Sequence, residues 1–293
     1  MTVQWYPGHM AQALCEMKDK LRLVDLIIEV CDARIPKSSR NPELITLIQK
    51  KPYILVLNKA DLADPAVTRQ WLNAFQKRSV IAISCNSNRQ QGVGQLQKAA
   101  GECCRDVVSR ERERGRTFRP IRAMVVGIPN TGKSTLINAL SGRKSARTSN
   151  EPGVTRQLGW IRAGQLELLD SPGVLWPKIE NQTQQLYLAA TGAIRDDLLP
   201  ISQIAMDTFM ILIRQYPERM QQRYQIEPAD AENVEPEILF EQAALRRGCL
   251  LSGNRPDITR FAGLFLDDFR SGRIGRISLE RPSFDGSDHD QSK

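Results

Sequence analysis

Apolar residues recur along this chain in two rhythms, and the change between them falls near residue 180. Before that point, short apolar runs at residues 26–30, 53–57, 80–84, 121–126, 158–162 and 166–169 predict strands. Between them lie stretches with helical spacing: residues 10–23, 42–50, 66–77, 94 to about 114, and a helix running through Leu140. Strands alternating with helices predict an α/β fold with a mainly parallel sheet. Beyond residue 180 only the helical rhythm remains. Ile201, Ile204, Ala205, Thr208, Phe209 and Leu212 share one face, as do Ile258, Phe261, Ala262, Phe265, Leu266 and Phe269. Gly272 is a stop signal for that last helix. The expected organisation is an α/β domain over residues 1–180, a smaller all-α domain over 181–281, and a polar, disordered tail over 282–293.

Composition narrows the classes. The 293 residues are 41% hydrophobic and 25% charged, which excludes wholesale disorder, collagen and a disulfide-stapled mini-protein. No apolar run reaches the ~18–20 residues of a membrane span. The opening residues carry no signal-peptide core, so a cytoplasmic location away from membranes is expected. Forty-one Lys and Arg against 33 Asp and Glu give a net charge of +8, which suits a polyanionic partner. Arg110, Arg112, Arg114 and Arg116 form a basic stretch that reads as a solvated helix face and linker. None of the six cysteines forms a C-x-x-C pair, and Cys15, Cys31 and Cys85 lie in apolar contexts, so buried reduced thiols are expected.

Gly127-x-x-x-x-Gly132-Lys133-Ser134 follows an apolar run and opens a helix, the context of a phosphate-binding loop. Its glycines let backbone N–H groups face phosphate oxygens at a helix N-terminus. Pro129, Asn130, Thr131, Gly132, Lys133, Ser134 and Thr135 are the nucleotide-binding candidates here. Lys133 would reach the β- and γ-phosphates, with a catalytic role, and Ser134 would bind Mg²⁺. Asn58-Lys59-Ala60-Asp61 selects the base. A carboxylate at Asp61 accepts from N1–H and N2–H₂ of guanine, and adenine offers neither donor. The Lys59 stem covers the base, and Asn58 ties this loop to the phosphate loop. Ser84 and Cys85 are expected where a backbone N–H meets guanine O6. Asp170 would sense Mg²⁺, through water, and Gly173 would supply an N–H to the γ-phosphate. Thr155, with Thr148 as runner-up, is the candidate switch threonine on Mg²⁺.

These elements stand in rotated order, with base-reading motifs ahead of the phosphate loop and the switches last. A circular permutation preserves the sheet and moves the chain ends to a different loop. Gly173 then leads straight into the C-terminal helices.

Together with Trp5-Tyr6-Pro7-Gly8-His9-Met10, Asp32-Ala33-Arg34 and Pro152-Gly153-Val154-Thr155, these motifs resemble ribosome biogenesis GTPase A, the YlqF family. The resemblance covers residues 1–180, and in the C-terminal helices it extends only to layout. Cys85 replaces the usual Ala, and Ser171 the usual Thr. It implies a circularly permuted GTPase that binds GTP and GDP and assists late assembly of the large ribosomal subunit. The partner would be the large-subunit precursor with its rRNA, the protein itself being monomeric off the ribosome.

Catalysis is less direct, because Val174 occupies the position where Ras-like enzymes carry a water-orienting Gln. His9 is one of two histidines and starts a helix, where the macrodipole keeps imidazole neutral. Such a ring can orient or accept a proton from water, or it can serve only as a helix-start hydrogen bond. The resemblance favours the catalytic role. Asn130 resembles the asparagine with which related GTPases hold K⁺. Arg246, Arg247, Arg255, Arg260, Arg270, Arg273 and Arg276 are expected to leave their guanidinium groups free for rRNA phosphate. The alternative function is a nucleotide-sensing binding module with negligible hydrolysis. A P-loop ATPase or small-molecule kinase is opposed by Asn58 to Asp61.

Overall fold

A computed structural model describes residues 8–48, 51–107, 109, 119–143, 146, 159–227 and 233–282, with the side chains of residues 8, 9 and 11 outside the description. The α/β part contains α1 (Gly8–Lys20), β1 (Leu26–Asp32), α2 (Pro42–Ile48), β2 (Tyr53–Asn58), α3 (Pro65–Lys77), β3 (Ile81–Ser84) and α4 (Val93–Cys103). It continues through β4 (Ile121–Val126), α5 (Lys133–Ser141), β5 (Gly159–Ala163) and β6 (Leu166–Asp170). The C-terminal helices are α6 (Gln182–Ala190), α7 (Ile201–Gln215), α8 (Pro217–Tyr224), α9 (Pro236–Arg246) and α10 (Ile258–Arg270). No helix among the described residues is long and apolar enough to cross a membrane.

The six strands lie in the order β3-β2-β1-β4-β6-β5, all parallel except β5, which runs antiparallel to β6. All seven β1 residues are buried, as expected for a central strand covered on both faces. Alternation sends Ile27 to one face and Ile28 to the other. From β1 the chain first builds outward through β2 and β3. It then returns to place β4 on the opposite side of β1. That reversal opens a crevice at the carboxyl ends of β1 and β4, where open α/β sheets bind ligands.

One face packs on α4 and α5 through Leu96, Ala100, Leu136 and Ile137. The other, through Ile27, Met124, Val126 and Leu169, joins α1 and the C-terminal helices in one continuous apolar core. Within it, Phe209, Tyr224, Phe240, Phe261 and Phe265 interlock mostly edge to face, with Phe240 and Phe261 centroids 4.7 Å apart.

Two expectations need correction. The helix from residue 94 toward 114 is interrupted at Cys104, which leaves helical geometry, and the basic stretch beyond lies outside the described residues. Cys31, Cys85, Cys104 and Cys249 are buried, but Cys15 is exposed and Cys103 half-buried. In α1 the buried stripe is Met10, Ala13, Leu14 and Met17, and Cys15 falls off it. Burial pushes the Cys85 thiol up to about 12 and that of Cys104 to about 11, away from thiolate chemistry.

Candidate functional site

The phosphate loop bridges β4 and α5. Gly132 has φ +87°, and a Cβ there would lie 2.4 Å from Asn58 Nδ2, so glycine is required at this junction. Lys133, at the start of α5, is 7% exposed and donates from Nζ to the Ile128 carbonyl at 2.9 Å. Burial pushes its ammonium down to about 8, against a partial upward pull from Asp170. Thr131 is buried and its hydroxyl donates to the same carbonyl at 3.1 Å, so it braces the loop. Ser134 Oγ donates to Asp170 Oδ2 at 3.3 Å, which brings together a hydroxyl and a carboxylate suited to a hard cation. Behind Asp170, the Ser171 hydroxyl donates to the Val125 carbonyl at 2.6 Å. Gly173 lies against the loop itself, for a Cβ there would be 2.7 Å from Pro129 and 3.0 Å from Lys133 Nζ.

Asn58 ends β2 and reaches across the sheet to this loop. Its Nδ2 donates to the Thr131 carbonyl at 2.8 Å, and its Oδ1 accepts from Ser87 Oγ at 2.7 Å. Lys59 follows at φ +58°, with Nζ 3.1 Å from Asp32. Burial lowers the Lys59 ammonium, and Asp32 offsets part of that. Asp32 also accepts from Arg34 Nε at 2.9 Å and Nη2 at 2.7 Å. Burial alone would raise the Asp32 carboxyl, but the two cations hold it well below the carboxylate range. Asp61 lines the cleft, and its carboxylate has no partner among the described residues.

The cleft has a volume of about 850 Å³. From the loop after β3 it is lined by Asn86, Ser87 and Asn88, in place of the expected Ser84 and Cys85. Cys85 is 1% exposed and its backbone pairs with Leu57 and Ala60, which turns it inward. The opposite wall was not foreseen: Thr191, Gly192, Asp196, Arg270 and Arg273 from the C-terminal region. These residues lie in turns or on a polar helix edge, where the sequence carries no motif.

That wall is wired to the phosphate loop. Asn130 Nδ2 donates to the Gly192 carbonyl at 2.6 Å, and Thr135 and Gly132 face the cleft beside it. Arg270 Nη1 and Nη2 grip Asp196 at 2.7 and 2.8 Å, while Nε and Nη2 also donate to the Ala190 and Ala189 carbonyls. The expectation of seven free guanidinium groups is thereby corrected. Arg270 caps α6, Arg273 lies 3.1 Å from Asp268, Arg276 donates to the Asp61 carbonyl and Arg246 to that of Gln225. Carboxylates and backbone carbonyls of the same fold compete for these side chains.

Val174 is fully buried, its N–H donates to Gly127 and its carbonyl accepts from Asn41 Nδ2, so it cannot approach a phosphate. His9 belongs to the first turn of α1, and its side chain lies outside the described residues. Thr155, Thr148 and residues 1–7 also lie outside them.

The family described as 50S ribosome-binding GTPase matches residues 122–239, a stretch that opens in β4 just ahead of the phosphate loop. Asn58 and Asp61 precede it, in keeping with the rotated order. A relative from Priestia megaterium, named ribosome biogenesis GTPase A, is 44% identical over 97% of this chain and 98% of its own. A GDP-bound structure of TM YlqF superposes with a TM-score of 0.65 at 28% identity, over 91% of this chain and 99% of that one. GNP-bound YlqF from T. maritima gives 0.63 at 28% identity, over 93% and 99%.

Proposed function

We propose a function from one premise, that the chain belongs to the ribosome biogenesis GTPase A family. It is thus a circularly permuted GTPase that binds GTP and GDP and serves ribosome assembly. Beyond this, our reading is that it acts late, on the precursor of the large subunit. It contacts rRNA, and its nucleotide state sets its grip. It works in the cytoplasm and is monomeric when off the ribosome.

The observation that carries this reading is the Asn58 bridge, which sets the Asp61 loop and the phosphate loop at one cleft. Asp61 would read guanine, and the N-terminal N–H groups of α5 with Lys133 would hold the phosphates. Ser134 and Asp170 suit Mg²⁺, as would Thr155. Bound there, Mg²⁺ would supply positive charge to neutralise the nucleotide phosphates. We assign His9 the positioning of water. Asn130 is our candidate for K⁺, and its amide would have to serve the ion as well as Gly192. Hydrolysis is slow alone and faster on ribosomal particles, where ordering the switches favours the transition state.

Sedimentation with purified subunits tests the proposal. Binding to the large subunit should be tighter with a non-hydrolysable GTP analogue than with GDP, and should weaken steeply with salt. Indifference to nucleotide, or binding only to the small subunit, would refute it. A second reading, a nucleotide-sensing module with negligible turnover, draws on the burial of Val174. It wins if ribosomal particles leave hydrolysis unchanged.

A further inference from the structure

The last described residues of the chain form a segment that binding and turnover, as derived above, do not use. Past α10, residues 274–280 run back across the carboxyl ends of β1 and β2. Ile277, Ser278 and Leu279 are 1%, 0% and 3% exposed, although they belong to no helix or strand. Contacts along both edges hold them. On one side, Tyr216 Oη accepts from the Ser278 N–H and donates to the Ser278 carbonyl, both at 3.0 Å. At the far end, Leu279 N–H donates to the Arg34 carbonyl at 2.9 Å. The Glu280 carboxylate accepts from the N–H groups of Lys37 and Ser38 at 2.7 and 3.0 Å, and Trp71 Nε1 donates to the Glu280 carbonyl at 3.1 Å.

The remaining contacts converge on one place. Arg276 Nε donates to the Asp61 carbonyl at 3.1 Å, Ile277 N–H to the Leu62 carbonyl at 2.8 Å, and Asp64 N–H to Ser278 Oγ at 3.1 Å. All three grip the backbone around the Asp61 carboxylate. That residue sits in a turn between Lys59, at φ +58°, and α3, so no ladder or helix fixes it. The front of the turn is tied by Ala60 N–H to the Cys85 carbonyl at 3.0 Å, and residues 276–278 supply its rear hold. A backbone carbonyl and its own side chain move together, so these bonds set where the carboxylate stands. We infer that residues 276–280 are a strap of positioning residues that aims Asp61 at the 2-amino group of guanine. The last turn of the C-terminal region would thereby be a determinant of base discrimination. The inference rests on the guanine assignment of Asp61 made above.

Inosine diphosphate lacks only the 2-amino group, so the ratio of GDP to IDP affinity reports how well Asp61 is aimed. Competition against a fluorescent GDP analogue measures both ligands on the full chain. The wild type should prefer GDP. Ser278→Ala, which leaves Asp64 N–H without its acceptor, should shrink that preference about fivefold, mainly by weakening GDP. Arg276 is exposed, so Arg276→Ala keeps the test open if the buried substitution prevents folding. It should shrink the preference about two- to threefold, and Arg276→Lys, which can still donate to the Asp61 carbonyl, should restore part of it. Variants that bind both ligands more weakly at an unchanged ratio would show a merely structural strap and overturn the inference. A wild type without preference for GDP over IDP would instead overturn the guanine assignment, and the strap with it.

Discussion

Asn58 and Thr131 lie far apart in the chain, yet one hydrogen bond of 2.8 Å makes the end of β2 and the phosphate loop a single piece. Asn58 is 2% exposed and uses both ends of its amide, so Asn58→Ala strands the Thr131 carbonyl and the Ser87 hydroxyl. The expected cost is about 2–3 kcal/mol of stability, together with a marked loss of GDP affinity. Urea denaturation and GDP titration measure the two effects. Unchanged affinity would show that the bridge does not organise the site.

Asp61→Asn should exchange base preference. An amide N–H can donate to the C2 carbonyl of xanthine, whereas it meets the N2–H₂ of guanine less well than a carboxylate does. Competition binding should therefore show GDP weakened and XDP strengthened. A wild type that binds ADP as tightly as GDP would refute the role of Asp61.

Lys133 gives nucleotide binding a pH dependence with a definite sign. Its ammonium in the ligand-free protein titrates near 8, below its ordinary value, because burial disfavours charge. Phosphate favours the charged form, so affinity should fall as pH rises through that value, by about tenfold per unit well above it. Without ligand the linkage runs the other way. Between about 8 and 10.5 the unfolded chain binds the extra proton, so this group makes folding more favourable as pH rises. GDP titrations at several pH values should show the fall, and Lys133→Met should flatten it.

His9→Ala should slow GTP hydrolysis about tenfold, or about 1.4 kcal/mol of barrier, with GDP affinity nearly intact. Replacing K⁺ by Na⁺ should slow the wild type, and Asn130→Ala should remove that preference. Single-turnover assays in each salt decide both. A His9→Ala protein that turns over at the wild-type rate assigns this histidine a structural role.

The strands and the position of the phosphate loop between β4 and α5 were legible in the sequence. The strand runs around Ile27, Ile54 and Val125 alternate or are wholly apolar, and the glycines and lysine from Gly127 to Lys133 have few other uses. What stayed hidden depends on partners distant in the chain. Arg270 reads as a free surface cation until Asp196 and the end of α6 are folded onto it. Ser278 and Ile277 follow no repeat, so nothing local tells a strap from a loop. The end of β3 at Ser84 was legible, but Asn86 and Ser87 line the cleft in place of Cys85 because the Cys85 backbone pairs with Leu57 and Ala60, partners no apolar pattern reveals. Cys15 looked buried among Leu14 and Met17, and only the three-dimensional phase of α1 turned it outward.

Gly192 is held from two sides, by Asn130 through its carbonyl and by the Arg270 guanidinium packed against it. A single residue thus stands between the loop that would cradle phosphates and the final helix. Coupling over so short a path is subject to reciprocity: any partner that grips α10 and shifts nucleotide affinity by some factor must have its own affinity shifted by nucleotide by that same factor. A calorimeter can therefore read the exchange from either end, and the two factors have to agree.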